Sequence, residues 1–307
     1  GRLLERPRLE ARLRDALRTH RVVLVAAPAG CGKTALLVRA LVPTPPGSAL
    51  AWVSLDPGDD LHRLLECLLA ALEPHDLPWR VAPEGLLAEA SRGDAPGRQR
   101  AADALADALD AAEVAHGTIV IDDLHHLDDD AAPQFLQRLV ERPGARWTLV
   151  LSAREVPPAL APRAAAPGAL AQFGEADLRF DADEAQAWFA AQGIDADTAR
   201  ALHARTGGWA AGLQLVLSDG RGAGPGAAID RTAFDYLATE VLKRLDPALR
   251  RFLLDTSVLH ELDARRCIAL TGDARAARWL DAIERRGLFA SVVDEATGTL
   301  RLHDLFR

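Results

Sequence analysis

Methionine is missing from this sequence altogether, tyrosine occurs once, cysteine three times, and aromatic residues make up only 5% of the chain. Because position 1 is not methionine either, the expectation is a processed chain or a piece of a longer protein. Cys31, Cys67 and Cys267 lie far apart without metal-ligand spacing, and an odd number argues against a disulfide framework, so a reducing cytoplasm is expected. Cys67 and Cys267 fall in apolar helical patterns and read as buried small hydrophobes. Cys31 lies in a glycine-rich turn, where neighbouring amides and Lys33 could make it oxidisable. No apolar run approaches ~20 residues and no signal-peptide pattern opens the chain, which excludes a spanning helix and points away from export. A basic surplus is missing too. The formal charge of −8 gives no support to a wholesale nucleic-acid binder, whose phosphate contacts need a positive surface.

What remains is a chain of 307 residues, 49% apolar and dominated by Ala, Leu and Arg, long enough for two or three domains built mainly of helices. Its most informative stretch is 22–37, VVLVAAPAGCGKTALL. An apolar, β-branched run leads into the turn Gly30-Cys31-Gly32-Lys33-Thr34 and, through Ala35, into an apolar helical pattern. That order of strand, loop and helix is what a phosphate-binding P-loop needs. Successive N–H groups of such a turn point at a phosphate, and the helix N-terminus adds partial positive charge. Lys33 would reach the outer phosphates while the Thr34 hydroxyl ligates Mg2+. The pattern G-x-x-x-x-G-K-[ST] is broken once, by Ala27 at its first glycine.

The second informative stretch is 117–124, GTIVIDDL, a short buried-type strand ending in an acidic pair. A P-loop NTPase places such a strand beside its P-loop strand. Asp122 would hold magnesium through water and Asp123 would polarise the attacking water, making Asp123 and Lys33 the catalytic pair. The bland alternative is that both acids merely begin the solvated turn that runs on through Asp128, Asp129 and Asp130. Arg154, at the end of the apolar run 147–151, would point at the crevice where ligands bind α/β sheets, and is equally readable as a surface arginine.

Periodicity predicts helices over 7–20, 61–72, 98–113 and 131–141, strands over 49–55 and 147–151, a Pro-containing connection before residue 98, an irregular segment over 157–171, and a last strand at 177–180. Helices at 183–192, 196–205 and 209–217 follow, then a Gly-rich linker over 218–228. Helices at 233–244, 247–255, 264–270 and 274–286 and a hairpin from 288–293 and 299–302 spell a winged helix. The expected fold is therefore an α/β P-loop NTPase domain with a parallel sheet (1–180), a small helical bundle domain (181–232) and a winged-helix domain (233–307). Residues 236–307 hold 12 Lys and Arg against 11 Asp and Glu, with the signs interleaved, the pattern of a solvated, ion-paired face.

These features together resemble the STAND class of signal-transduction ATPases, and specifically the ATPase module of MalT-type, LuxR-family transcriptional activators. The matching phrases are AAPAGCGKT (26–34), AWVSLD (51–56), VIDDLH (120–125), DLRF (177–180), TGGWAAGLQ (206–214) and LHDLFR (302–307). The resemblance implies three domains that close around ADP in a resting monomer and open with ATP and a small-molecule or protein inducer to self-associate. It also implies slow hydrolysis, and DNA contact only through segments absent from this chain. By the same resemblance Leu3, Leu4 and Arg6 would lie against the base. Ala210 stands where the family has an adenine-contacting proline, and His303 would hydrogen-bond the β-phosphate of ADP. Other readings stay open: an AAA+-like ATPase acting on DNA through its winged helix, a non-hydrolysing nucleotide scaffold, and, ranked below these, a P-loop kinase.

Overall fold

The structure, a computed structural model, describes residues 5–92, 94–127, 129, 132–142, 144, 146–157, 160–161, 170–219, 242, 245–285, 290–294 and 297–302. They fall into two compact units, one drawn from residues 1–26 and 33–174 and the other from 27–32 and 175–307. Among the described residues no helix is long and apolar enough to cross a membrane.

The first unit opens with α1 (Pro7–Thr19), in which proline supplies the first turn and Leu9, Leu13, Ala16 and Leu17 form the buried stripe. Next come β1 (Val22–Ala26), α2 (Lys33–Leu41), β2 (Ser48–Ser54) and α3 (Leu61–Leu72), the last started by the Asp60 carboxylate accepting from the Arg63 amide. α4 (Pro83–Ser91) occupies what sequence reading treats as a Pro-containing connection. Pro83 there is a helix starter, and Leu86 and Ala90 are the buried face. α5 (Ala95–Ala111), β3 (His116–Asp122), α6 (Ala132–Glu141), β4 (Trp147–Ala153) and β5 (Ala171–Phe173) complete the unit.

All five strands run parallel, in the order β2-β3-β4-β1-β5. β4 is buried along its whole length and β1 nearly so, as strands covered on both faces must be, whereas edge strand β2 alternates buried and half-buried residues. Two sequence expectations change here. The acidic strand β3 is not beside the P-loop strand; β4 lies between them, pairing Leu149 with both Val22 and Ile119. The last strand is 171–173 rather than 177–180, with Ala171 and Phe173 level with Val23 and Val25 of β1. Buried Leu178 and Phe180 alternate with Asp177 and Arg179, which mimics a strand, but Arg179 is ion-paired to Glu175 at helical spacing and Glu175–Leu178 is a single helical turn, α7.

In the second unit α8 (Ala182–Ala190) starts with a full capping box between Asp181 and Glu184, and α9 (Ala196–Thr206) starts on Asp195 and stops at left-handed Gly207. α10 (Ala210–Asp219) follows. Most of the expected linker at 218–228 and all of the expected helix at 233–244 except Leu242 lie outside the described residues. α11 (Pro247–Thr256), α12 (Ala264–Thr271) and α13 (Ala276–Arg285) precede an antiparallel hairpin of β6 (Ala290–Asp294) and β7 (Thr299–Leu302). Leu262 bridges to Leu300, and Phe252, Leu253, Cys267, Ile283 and Leu302 fill the core between helices and hairpin. Cys267 is thus the buried hydrophobe expected, its thiol pushed up to about 11 by burial and then by Asp263, while Cys67 is only half-buried. The arginines of this region are ion-paired as their spacing predicts: Arg266 to Glu261 and Asp263, Arg275 to Asp273, Arg301 to Glu261.

The P-loop helix is fastened to α1 by Glu10, whose carboxylate is nearly buried and accepts from Arg39 (2.6 Å), Arg14 (3.0 Å) and the Arg6 amide (3.0 Å). Burial alone would raise its pKa; the hydrogen bonds from Arg39 and the Arg6 amide, with the Arg39 charge, outweigh it and the net shift is downward. A depressed carboxylate contributes stability above its ordinary pKa that is lost as pH falls through the lowered one. Glu10→Gln should therefore cost about 1–3 kcal/mol at pH 7 by denaturant unfolding. The gap to wild type should close in acid; a gap independent of pH would contradict the linkage.

Candidate functional site

In the first unit, the acidic strand delivers Asp122 to its carboxyl end, 1% exposed. Such burial is not that of a residue opening a solvated turn. Thr34, in the first turn of α2, donates from Oγ1 to Asp122 Oδ2 at 2.7 Å, and the Asp123 amide donates to Asp122 Oδ1 at 3.0 Å. Both Asp122 oxygens are thereby fixed in direction. Lys33, one residue before Thr34, is buried, and Ala35, one residue after, is half-buried.

Asp123 adopts a left-handed conformation, φ 55°, which for a non-glycine residue stores on the order of 1–3 kcal/mol of strain. Its carboxylate is 40% exposed, and His125 Nδ1 stands 3.8 Å from Oδ1. The bend is braced from β2. The Leu55 amide donates to Asp122 O at 3.1 Å, and His126 Nδ1 lies 2.8 Å from Leu55 O, which requires the proton on Nδ1 because a carbonyl can only accept. Asp129 does not simply continue an acidic turn: its carboxylate accepts from the Leu61 amide at the start of α3. Arg154 directly follows β4, the strand between β1 and β3. Within β4, buried Ser152, level with Val25, has no hydrogen-bond partner for its hydroxyl among the described residues. Arg6 is the N-cap residue of α1 and is buried. Leu3, Leu4 and His303 lie outside the described residues.

The loop 27–32 belongs to the second unit. Gly30 and Gly32 have φ of 74° and 88°, a region open to glycine at no steric cost. Ala27 is buried and has no positive φ, so a methyl group is accommodated where the motif usually carries glycine. Trp209 Nε1 donates to Ala29 O at 3.1 Å and the Ala211 amide donates to Gly30 O at 2.9 Å. Ala210 lies against Gly32, 3.7 Å from where a Cβ would stand. Sequence reading includes Trp209 and Ala211 in the family phrase 206–214 but gives a role to Ala210 alone. The available signal was that the residue before α10 is Trp209, whose side chain has no oxygen with which to cap a helix.

The residues suit a nucleotide and magnesium. Thr34 Oγ1 and Asp122 Oδ2 are hard oxygen donors side by side, and magnesium takes one or two such protein oxygens together with phosphate oxygens. Thr34 and Asp122 would hold that ion, and Lys33, next to Thr34, would reach phosphate oxygens.

Residues 1–152 match the AAA ATPase domain family, and residues 238–307 match the MalT winged helix domain family. The chain resembles the ATPase module of MalT-type regulators. It is 30% identical over 318 residues to the HTH-type transcriptional regulator MalT of Klebsiella pneumoniae strain 342, covering 98% of this chain and 34% of that protein. To MalT of Vibrio cholerae it is 28% identical over 324 residues, covering 100% and 35%. It is also 30% identical over 326 residues to the serine/threonine-protein kinase PknK of Mycobacterium tuberculosis, covering 100% and 28%. The chain thus spans about a third of the length of the MalT relatives it matches. A Walker-type ATPase of Pyrococcus abyssi shares the fold, with a TM-score of 0.65 at 14% identity over 99% of this chain and 94% of that one. The MalT-like winged helix and the parallel-sheet P-loop ATPase domain are those expected from sequence.

In this MalT-like loop the two glycines do different work. A Cβ on Gly30 would stand 2.7 Å from the Ala211 Cβ and 2.9 Å from the Trp209 ring; on Gly32 it would meet only the Ala210 methyl at ordinary contact distance. Gly30→Ala should cost about 2–4 kcal/mol, strain plus overpacking, and Gly32→Ala about 1–2 kcal/mol, strain alone. Thermal unfolding of the nucleotide-free protein measures both. Equal losses would mean that the packing around Gly30 is not as described.

Proposed function

We propose that the chain is the nucleotide-operated switch of a transcriptional regulator, divided at about residues 180 and 232 into nucleotide-binding, helical and winged-helix domains. It holds ADP in a closed resting state and ATP in an open, self-associating state, and slow hydrolysis resets it. The observation that carries the reading is the Thr34–Asp122 hydrogen bond of 2.7 Å, supported by similarity to MalT regulators along nearly the whole chain.

Each residue has a part in this proposal. The amides of Gly30, Cys31, Gly32, Lys33, Thr34 and Ala35 receive the phosphates, and the Lys33 ammonium neutralises their outer oxygens. Magnesium, once bound, offsets charge that builds on the phosphates during transfer. Asp123 takes the proton of the attacking water, and its exposure leaves room for that water. Arg154 reads the γ-phosphate. Arg6, with Leu3 and Leu4, borders the base, Ala210 replaces a proline contact to it, and His303 donates to the β-phosphate of ADP.

A ligand shifts a two-state equilibrium only by its difference in affinity for the two states. ADP favours closure because His303 is engaged only there, and a γ-phosphate favours opening because it competes for that space. The inducer is a small molecule or a protein that binds outside this chain or to its open form, and DNA contact belongs to segments such as those that make up the rest of the relatives' length. The paired arginines of 261–301 favour this over direct DNA binding by the winged helix.

Denaturing the purified protein should release ADP, identifiable by chromatography. An empty site with rapid steady-state turnover would favour a working ATPase instead. Lys33→Ala should abolish nucleotide retention, and if it does not, the loop is not the phosphate site. His303→Ala should shorten ADP retention and increase oligomer size by light scattering; a variant unchanged in both would remove the proposed lock.

A further inference from the structure

A trans peptide unit is planar, with its C=O and N–H pointing to opposite sides. In the loop, two consecutive carbonyls are taken up by the segment 209–211: Ala29 O by the Trp209 indole, Gly30 O by the Ala211 amide. The amides that share those planes, Gly30 N–H and Cys31 N–H, are therefore turned to the other side of the loop. Among the described residues Gly30 N–H has no backbone acceptor, and Cys31 N lies 3.5 Å from Pro28 O. Two adjacent amides facing one way form a nest for an anion.

The donors that set this orientation are themselves immobilised. Trp209 is 3% exposed. It follows the pair Gly207-Gly208, with φ of 56° and 74°, and a Cβ on Gly208 would stand 2.2 Å from Phe180 O. Phe180 N donates to Gly208 O at 2.8 Å, Arg179 donates to Gly207 O at 2.6 Å, and His203 Nε2 lies 2.8 Å from Phe180 O. The Ala211 amide is one of the four N–H groups that a helix leaves unsatisfied at its start, and with tryptophan in the capping position its acceptor is the loop itself. The loop and the start of α10 thus satisfy each other.

We propose that Trp209, together with the first-turn amide of Ala211, is a positioning clamp for the phosphate loop, holding the amides of Gly30 and Cys31 in the anion-binding orientation before any nucleotide arrives. The inference rests on the nucleotide-binding reading above and adds to it a residue nearly 180 positions from the loop. A clamp that acts on phosphates through preorganisation should influence every ligand that carries a diphosphate, whatever base is attached.

The experiment is calorimetric titration of the 307-residue chain, stripped of nucleotide, with ADP and with inorganic pyrophosphate. Wild type is compared with Trp209→Phe, which keeps an aromatic ring and deletes the N–H donor. A lost hydrogen bond of this kind predicts about tenfold weaker binding. The clamp requires that factor to be the same for ADP and pyrophosphate, at a temperature where both apo proteins are folded, since the lost bond also lowers the apo thermal midpoint. Equal affinities in the two proteins would overturn the clamp, as would a loss for ADP that pyrophosphate does not share, since that marks a contact to the base. If wild type itself binds neither ligand, the nucleotide reading fails and takes the clamp with it. Should Trp209→Phe not fold, benzothienylalanine at position 209, which replaces only the N–H by sulfur, carries the same comparison.

Discussion

The carboxyl end of the sheet is organised by one short hydrogen bond, Thr34 Oγ1 to Asp122 Oδ2. It joins two residues 88 positions apart, Asp122 at the end of β3 and Thr34 in the helix that follows β1, although β3 and β1 do not touch because β4 is inserted between them. For that bond to form, the two outer strands must end at the same level as the inserted one. The register delivers this to within one residue: Ile119, Leu149 and Val22 lie abreast, β4 and β1 end together at Ala153 and Ala26, and β3 ends at Asp122, one residue earlier. Burial of β1, β3 and β4 on both faces leaves no freedom to slip by one residue, since a slip would turn every side chain to the other face.

Around that bond the backbone is strained at selected points. Asp123 is held at positive φ where a non-glycine residue is uncommon, and it persists because Asp122 takes its amide while Leu55 and His126 tie the bend to the end of β2. The cost falls on a carboxylate that ends up partly exposed beside a fully buried one. Two adjacent acids are thus given different surroundings, one committed to holding a neighbour and the other open to solvent. On the proposed function, the buried acid would serve the cation and the exposed one the water.

How much of this is legible in the sequence follows from how local the information is. The strand, loop and helix of 22–41 and the acidic strand before Asp122 are written in consecutive residues, and both are where periodicity places them. Adjacency is not written locally. Nothing in 147–153 says that this strand will part the other two, so β3 was expected beside β1. The stretch 177–180 misleads because four residues cannot separate a period of 2 from a period of 3.6, and the Glu175–Arg179 pair that decides the matter lies partly outside it. Leu86 and Ala90 went unread as a helix because Pro83 suggests a break as readily as a start. The contact of Trp209 with the loop went unread for the opposite reason to the P-loop: its partner, Ala29, is 180 residues away, and a missing cap does not say where the helix start finds its partner.

The clamp also explains an absence within the loop. A phosphate loop must keep its amides directed inward while carrying no ligand, yet its glycines give it much conformational freedom to lose. A side chain in the loop could restrict that freedom only by occupying the space meant for the anion. Restraint has to come from behind, through the carbonyls, and Ala29 O and Gly30 O are where it is applied. Gly30 must then lack a Cβ for two separate reasons, its positive φ and the presence of Trp209 and Ala211 at its back, whereas Gly32 answers mainly to the first. Where the backbone is braced from behind in this way, Ala27 needs no glycine, because its own conformation is ordinary and its methyl is simply part of the buried wall.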